Sequence, residues 1–181
     1  DRRGVNELHE ALHCTPLFCA AARGHRAACE VLIQYGADPN IVCSDDGAAC
    51  LHAASRLTGG DPQLLTALIR ARADLDAVDN AGNTPLMVCC SRGNLALAQA
   101  LVNQHSVSPD QRSRTNASLR PLSVAIRHKH INVAAWLVND CFANPNLVLP
   151  DHTPLTLSLQ MREWEWATVL VRDCYAELGL A

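Results

Sequence analysis

The stretch TPLFCAAARGHRAACEVLIQYGADPN, residues 15–40, determines the fold of this chain. Threonine can cap a helix, and proline has no N–H to leave unsatisfied, so Thr15 and Pro16 predict a helix start. Gly24 lies where a left-handed residue can end that helix and reverse the chain. A second helix should follow, because residues 31–33 form part of a narrow apolar stripe. One helix pair cannot bury such a stripe, so neighbouring pairs must stack.

The same pattern recurs along the chain at nearly constant spacing. The leucine after the proline-like position returns at intervals of 34, 35, 36 and 33 residues, by subtraction of its positions. These positions are Leu17, Leu51, Leu86, Leu122 and Leu155. The unit resembles the ankyrin repeat, whose period is about 33 residues. The resemblance covers nearly the whole chain.

The resemblance implies an all-α ankyrin-repeat solenoid of stacked helix-turn-helix pairs with β-hairpin or loop tips. The second helices should lie on the convex side. We expect a single ankyrin-repeat domain over residues 1–181. Its expected parts are the end of a preceding repeat at about 1–10, repeats at 11–43, 44–78, 79–114 and 115–147, and a C-terminal cap repeat at 148–181. Because the chain opens on Asp1 and partway through a repeat, we expect it to be a segment of a longer protein.

Three loops depart from the best-preserved repeat. Residues 57–63 are about two residues longer than the tight glycine turn, which predicts a flexible bulge. Residues 105–110 and 141–146 each gain a residue and lose the glycine. We therefore expect the loops after the third and fourth repeats to differ in shape from the first one.

The histidine of the ankyrin-like TPLH motif is present only as His52, where Ala49 and Cys50 replace the usual Thr-Pro. The equivalent positions in the other repeats hold Phe18, Met87, Ser123 and Thr156. In the family this histidine supports a hydrogen-bond network. The resemblance therefore implies that much of the network is missing here, and we expect moderate stability.

Composition excludes several classes of protein. Hydrophobic residues make up 49% of the 181 residues, which is ample for a core, and the formal charge of -3 gives no bulk attraction to nucleic acid or anionic membranes. No apolar run approaches the roughly 18 to 20 residues that span a bilayer. Aromatic residues are only 4% of the chain, so closely packed alanines must supply much of the core. We expect a monomer without membrane insertion.

Cysteine usage indicates a reducing compartment. The nine cysteines are odd in number, and no two form a CxxC pair. Several stand where a repeat protein places alanine, valine or glycine, so they are interpreted as small buried hydrophobes. Free thiols are typical of the cytosol or the nucleus, and we expect one of these locations.

No motif in the chain predicts catalysis or a cofactor. Neither a G-x-S-x-G nucleophile nor a phosphate-binding loop is present. His9, His13 and Cys14 have a spacing that suits zinc, but they supply only three ligands, so a structural role is favoured and no metal is expected. Residues 127–130 form a short basic run, which is interpreted as an exposed turn; binding of nucleic acid is only a weak alternative.

The resemblance implies that a partner binds in a concave groove made by the hairpin tips and the first helices. Near the end of each first helix the groove should display Arg23, Arg56, Arg92, and Arg127 with His128. Such a basic ladder suits an extended acidic peptide, because guanidinium groups bind carboxylates in bidentate fashion. The alternative is that arginine fills these positions for solubility and helix propensity.

The tips add further candidate contacts that differ between repeats. They are Asp45 and Asp46 in an acidic tip, Asn80 and Asn83 with Asp79 in a polar tip, Arg112 and Arg114 in a basic tip, and Leu149 in the apolar tip 147–150. The apolar tip either folds back onto the stack or contacts a partner. Trp164 and Trp166 open the last helix, where we expect one to cap the core and the other to be exposed, with a capping role favoured.

These features predict a non-enzymatic module that binds a partner protein or peptide in its groove, within a larger intracellular protein. One alternative is a regulatory or substrate-recruiting domain of a multidomain enzyme, such as a kinase or ubiquitin ligase, whose catalytic part lies outside this segment. Another is a purely structural spacer. Fold alone does not identify the partner.

Overall fold

The computed structural model describes residues 4–43, 45–116, 119–146, 153–162 and 164–172, without the side chains of residues 166, 169 and 172. These residues contain ten α-helices and no strand. The helices are α1 Pro16–Ala22, α2 Arg26–Gln34, α3 Cys50–Ser55, α4 Pro62–Arg70, α5 Pro85–Arg92, α6 Leu95–Gln99, α7 Pro121–Arg127, α8 Ile131–Asn139, α9 Pro154–Gln160 and α10 Trp164–Arg172. A π-helical turn, Ala100–Gln104, extends α6.

The helices stack as sequential pairs. The first helices form one row, in which α1 contacts α3, α3 contacts α5, α5 contacts α7 and α7 contacts α9. The second helices form another row from α2 through α4 and α6 to α8. Each helix also packs against the other member of its pair. The predicted solenoid of stacked helix pairs is confirmed, and the tips in the described part of the chain are loops.

Threonine caps begin the first helices, as the Thr-Pro pattern predicts. The hydroxyls of Thr15, Thr84 and Thr153 accept hydrogen bonds from the N–H three residues later, at 3.2, 3.4 and 3.2 Å. Gly24 and Gly93 both adopt left-handed backbone, with φ of 73° and 68°. These predictions of helix start and end are confirmed.

Small side chains and leucines fill the core between the two rows. The repeat leucines are buried, and Ala21, Ala98 and Ala125 have no exposed surface. The eight cysteines in the described part of the chain are free thiols, six of them buried. Burial raises the pKa of Cys50 and Cys89 to about 12. These thiols therefore stay protonated near neutral pH and pack as small hydrophobes.

The histidine network is less depleted than predicted. His52 is fully buried; its Nδ1 accepts the N–H of Ala49 at 3.1 Å, and its Nε2 donates to the carbonyl of Asn83 at 3.0 Å. Hydroxyls take over the first of these bonds elsewhere: Ser123 accepts the N–H of Arg120 at 3.1 Å, and Thr156 accepts that of Thr153 at 2.7 Å. The short side chains of Ser123 and Thr156 thus make the hydrogen bond within their own repeat, but not the bond to the next repeat that His52 makes.

The loops after the third and fourth repeats differ from the first as predicted, because the backbone bond that closes each is one residue wider. The N–H of Ala37 donates to Leu32, whereas that of Val107 donates to Leu101 and that of Ala143 to Leu137. The loops nevertheless end alike. Ser106 and Phe142 keep the left-handed backbone of Gly36, with φ of 56° for both against 89° for the glycine. In the third repeat, the wider π-helical turn at the end of α6 absorbs the extra residue. The loops thereby regain their position, and Val107 and Ala143 are buried at their ends.

Some predictions rest on residues that the structure describes only in part. The apolar tip 147–150, including Leu149, lies outside the described residues, as does the side chain of Trp166. The Trp164 side chain is 63% exposed, so it does not cap the core. In the 57–63 loop the Leu57 carbonyl accepts a 2.6 Å hydrogen bond from Asn94 Nδ2, and the loop's flexibility stays a prediction.

Candidate functional site

A cleft of about 350 Å³ opens between the loop tips and the ends of the first helices. We call the turn before each first helix a finger. In the two fingers beside the cleft, the N–H of Cys43 donates to the carbonyl of Ala48 at 2.8 Å and that of Asp79 donates to the carbonyl of Asn83 at 3.0 Å. The residues that line the cleft come from two fingers and from the ends of α3 and α5. They are Asp46, Arg56, Asp79, Asn83, Val88, Ser91 and Arg92.

One side of the cleft is an ion cluster of Asp46, Arg56 and Asp79, called here the Arg56 cluster. The Arg56 guanidinium contacts the Asp46 carboxylate and lies 3.6 Å from Asp79 Oδ2. Its side chain is only 30% exposed. Burial raises the pKa of Asp46, but Arg56 and the N–H of Ala48 outweigh it and hold the pKa below its usual value. Arg56, predicted to face solvent, is thus neutralised within the protein.

The two asparagines predicted as partner contacts take part in the finger structure. The Asn80 N–H donates to the carbonyl of Asp46 at 2.9 Å and links the two fingers. Asn83 donates from its backbone and its side chain to Asp79 Oδ1, at 2.8 and 3.2 Å. Asp45 lies at the exposed tip. Asp45 and Asn80 are thus exposed to a partner, whereas Asp46 and Asn83 are half-buried.

The predicted ladder forms two columns. Arg23, Arg92 and His128 are the eighth residues counted from the first residue of α1, α5 and α7. Arg56 and Arg127 are the seventh residues of the same count in α3 and α7. Adjacent helical positions differ in direction by about 100°. The side chains therefore leave their helices in two directions.

Arg92 lies on the other side of the cleft, and Arg127 and His128 follow at the end of the neighbouring helix α7. These three residues, two arginines and a histidine, are called here the Arg92 cluster. All three side chains are exposed. In the described part of the chain, no carboxylate forms an ion pair with Arg92 or Arg127. Partial burial, followed by the charges of His130, Arg127 and Arg92, lowers the pKa of His128. The cationic groups are therefore close enough to repel one another.

The third and fourth repeats pack closely behind this cluster. His130 Nε2 donates to the carbonyl of Ser91 at 3.0 Å. Gly93 lies against the same ring, because a Cβ at that position would stand 2.4 Å from His130 Nδ1. Glycine is thus required at position 93 both by the left-handed φ and by this contact. The packing sets the positions of Arg92 and His128 relative to each other.

Two other arginines named from the sequence, Arg23 and Arg114, have partners of their own, whereas Arg112 is exposed. Arg23 is exposed and donates to the carbonyl of Cys19 in its own helix at 3.4 Å. Arg114 lies 3.8 Å from Asp74 and 3.2 Å from Asp76, so the third tip is less basic than predicted. Among the described residues, no group of three His, Cys, Asp or Glu side chains is arranged for a metal ion. None of the described helices is long and apolar enough to cross a membrane.

The chain belongs to the ankyrin repeat family. A family model of three consecutive ankyrin repeats matches residues 51–149, and the single-repeat model matches residues 12–44. The resemblance stated from the sequence is thereby confirmed. Ankyrin repeats are protein-interaction modules, so the class of function is binding to another protein.

Known relatives carry similar repeats within longer proteins. The chain is 29% identical over 135 residues to the ankyrin repeat and KH domain-containing protein mask-1 of Caenorhabditis elegans, covering 73% of this chain and 5% of the relative. It is 31% identical over 113 residues to the target of rapamycin complex 2 subunit AVO2 of Saccharomyces cerevisiae, covering 61% and 26%. A third match, to the inactive serine/threonine-protein kinase TEX14 of Mus musculus, has 41% identity over 69 residues and covers 38% and 5%. The chain thus spans about a quarter or less of the length of these relatives.

Sequence reasoning missed one member of the site and one relationship. Asp79 was grouped with a polar tip, whereas its carboxylate holds both Asn83 and Arg56. The sequence signal that was available is a carboxylate in one finger together with an arginine at the end of the first helix of the preceding repeat. The pairing itself depends on how close the stacked repeats bring the two side chains.

Proposed function

We propose that this chain is a non-enzymatic interaction module that binds an extended acidic segment of a partner protein in the groove between its fingers and first helices. It acts as a monomeric part of a larger protein in the cytosol or nucleus. The observation that carries the proposal is the Arg92 cluster, in which two exposed arginines without an acidic partner among the described residues lie next to a histidine, at an open cleft in a chain of net charge -3.

Charge complementarity supports an acidic partner. A site that leaves guanidinium groups unpaired gains most from carboxylates, which bind them through two parallel hydrogen bonds. Half-buried Ser91 lines the cleft beside Arg92 and supplies contact for the partner's backbone. Buried protonated thiols support the proposed cytosolic or nuclear location, because such cysteines persist unpaired in reducing compartments.

A second candidate is a recruiting or regulatory domain of a multidomain enzyme. The match to TEX14, named as an inactive serine/threonine-protein kinase, is the observation that connects such repeats with a kinase-like protein. In both candidates the groove binds protein, and they differ in what the rest of the longer protein does.

The test is affinity capture of partner proteins with this chain, followed by competition between charge-reversed variants. Arg92→Glu with Arg127→Glu should weaken partner binding roughly a hundredfold, because two attractive contacts become repulsive. The melting temperature should stay within about two degrees of the wild type, because both side chains are exposed. Raising the salt concentration should weaken wild-type binding as well.

The matched control is Arg70→Glu with Arg112→Glu, which makes the same change in net charge at two exposed arginines that do not line the cleft. Equal losses in both double variants would mean bulk electrostatics and would contradict the groove proposal. Loss only in Leu149→Asp would move the contact to the apolar tip.

A further inference from the structure

We infer that the groove recognises a pair of acidic residues about three positions apart, one bound at Arg92 and the other at Arg127 and His128. The inference rests on the proposed function and makes it specific. The predicted ladder of four binding positions is replaced by two positions at the boundary of the third and fourth repeats. We call them rungs: Arg92 is the first, and Arg127 with His128 is the second.

The distribution of ion pairs selects these two rungs. Arg56 faces two carboxylates, Asp46 and Asp79. An acidic residue brought to Arg56 would approach those carboxylates too, so it gains little net attraction. Arg92 and Arg127 pair with no carboxylate among the described residues, so an incoming carboxylate supplies the missing partner.

Mutual repulsion within the Arg92 cluster adds to the gain. Partial burial lowers the pKa of His128, and the positive charges of Arg127 and Arg92 further disfavour its protonated form. A carboxylate placed between these groups relieves the repulsion and favours protonation of His128. The second rung therefore becomes more positive when it is occupied.

The packing of α5 against α7 sets the spacing between the rungs. The two helices are in contact, and the axes of packed helices lie about 8–10 Å apart. Arg92 and His128 occupy equivalent positions at the ends of these helices. An extended peptide advances about 3.3 Å per residue, so three residues span about 10 Å. Two acids three positions apart thus match the two rungs when the segment runs along the stack.

The experiment titrates the full chain with short synthetic peptides of serine, threonine and glutamine that carry two glutamates, observed by NMR. The glutamates are adjacent, three positions apart or five positions apart, so net charge is constant. The peptide with the three-position spacing should bind about fivefold more tightly than the other two, the equivalent of one additional surface ion pair.

Single variants identify the rungs. Arg92→Gln and Arg127→Gln should each abolish the spacing preference, whereas the exposed control Arg70→Gln should retain it. Binding that requires Arg92 and Arg127 but is equal at all spacings overturns the acid-pair inference and leaves the acidic groove intact. Absence of binding by every acidic peptide overturns the proposed function as well. Tighter binding of a single-stranded oligonucleotide than of any peptide would assign the cluster to nucleic acid and overturn both.

Discussion

Two neighbouring parts of the same groove use arginine in opposite ways. In the Arg56 cluster the guanidinium is held by two carboxylates and is two-thirds covered, with 30% of its side chain exposed. In the Arg92 cluster the guanidinium groups are exposed and have no acidic partner among the described residues. The difference shows that an arginine at the same place in two repeats can stabilise the fold in one and remain available for binding in the other.

Hydrogen bonds also join adjacent repeats in the N-terminal part of the chain. His52 and Asn80 join adjacent fingers, and Gly36 supplies the left-handed residue at low cost. In the fourth repeat Ser123 makes only the local bond, and Phe142 adopts a left-handed backbone with 85% of its surface exposed. Among the described residues, non-glycine residues with positive φ are Ser106, Lys129, Phe142 and Arg162 in the C-terminal part and His13 and Arg72 in the N-terminal part, so the C-terminal part has more backbone strain.

The largest expected effect concerns the buried histidine. His52→Ala should lower the free energy of unfolding by about 3 kcal/mol, because it leaves a cavity and two backbone groups without partners. Ser123→Ala, at the equivalent position, should lower it by about 1 kcal/mol, the value of a local cap. Urea denaturation of the two variants measures the difference. Equal losses of unfolding free energy would contradict the conclusion that His52, but not Ser123, forms a hydrogen bond to the next repeat.

The equivalent arginines should respond in opposite ways. Arg56→Glu should lower the free energy of unfolding by about 2 kcal/mol, because it places a third carboxylate beside Asp46 and buried Asp79. Arg127→Glu should leave stability nearly unchanged and weaken binding of an acidic peptide about tenfold. Thermal melts and peptide titrations of both variants provide the measurements. If Arg56→Glu lost peptide binding but kept the stability of the wild type, the proposed difference between Arg56 and Arg127 would be wrong.

Acidification should change folding stability and peptide binding in opposite directions. His52 and His128 both have a lowered pKa in the folded protein, so the unfolded chain binds more protons, and stability falls as the pH drops below about 6.5. Binding of an acidic peptide should instead tighten about threefold between about pH 8 and pH 6, because the ligand favours protonated His128 while its carboxylates stay ionised.

The His128→Gln variant isolates this effect. It should bind the acidic peptide with nearly the same affinity at both pH values, because the titrating group next to the arginines is gone. Peptide titrations of wild type and variant at the two pH values are the measurement. Tightening in acid that persists in His128→Gln would point to another titrating group.

The smallest expected effect concerns backbone strain. Phe142→Gly should raise the free energy of unfolding by about 0.5–1 kcal/mol, because glycine accepts the φ of 56° and the exposed ring contributes little burial. Tyr35→Gly is the control, since Tyr35 has an ordinary φ of -82° and should be destabilised by the same change. Denaturation midpoints measure both. Destabilisation by Phe142→Gly would indicate that the ring has a packing role.

Repetition made the fold readable from the sequence. Thr15 with Pro16, Thr84 with Pro85, and Gly93 indicate helix starts and ends through local hydrogen bonding and backbone preference, which need no knowledge of distant contacts. The candidate site was less predictable. Arg56 and Asp46 were both named, yet as separate contacts of a partner. Neither the two columns of the ladder nor the role of Asp79 could be recognised until the stacked repeats brought these side chains together.

By itself the sequence determined the repeat, the helix boundaries and the positions at which charged residues reach the groove. Those features depend on short-range chemistry: a capping hydroxyl, a proline without an N–H, a glycine that tolerates positive φ. Only the tertiary structure decided which charges are satisfied. An ion pair forms between residues such as Arg56 and Asp79, more than twenty positions apart, only because stacking places their side chains within reach. Whether an arginine contributes to the fold or remains free for a partner is therefore a property of the stack.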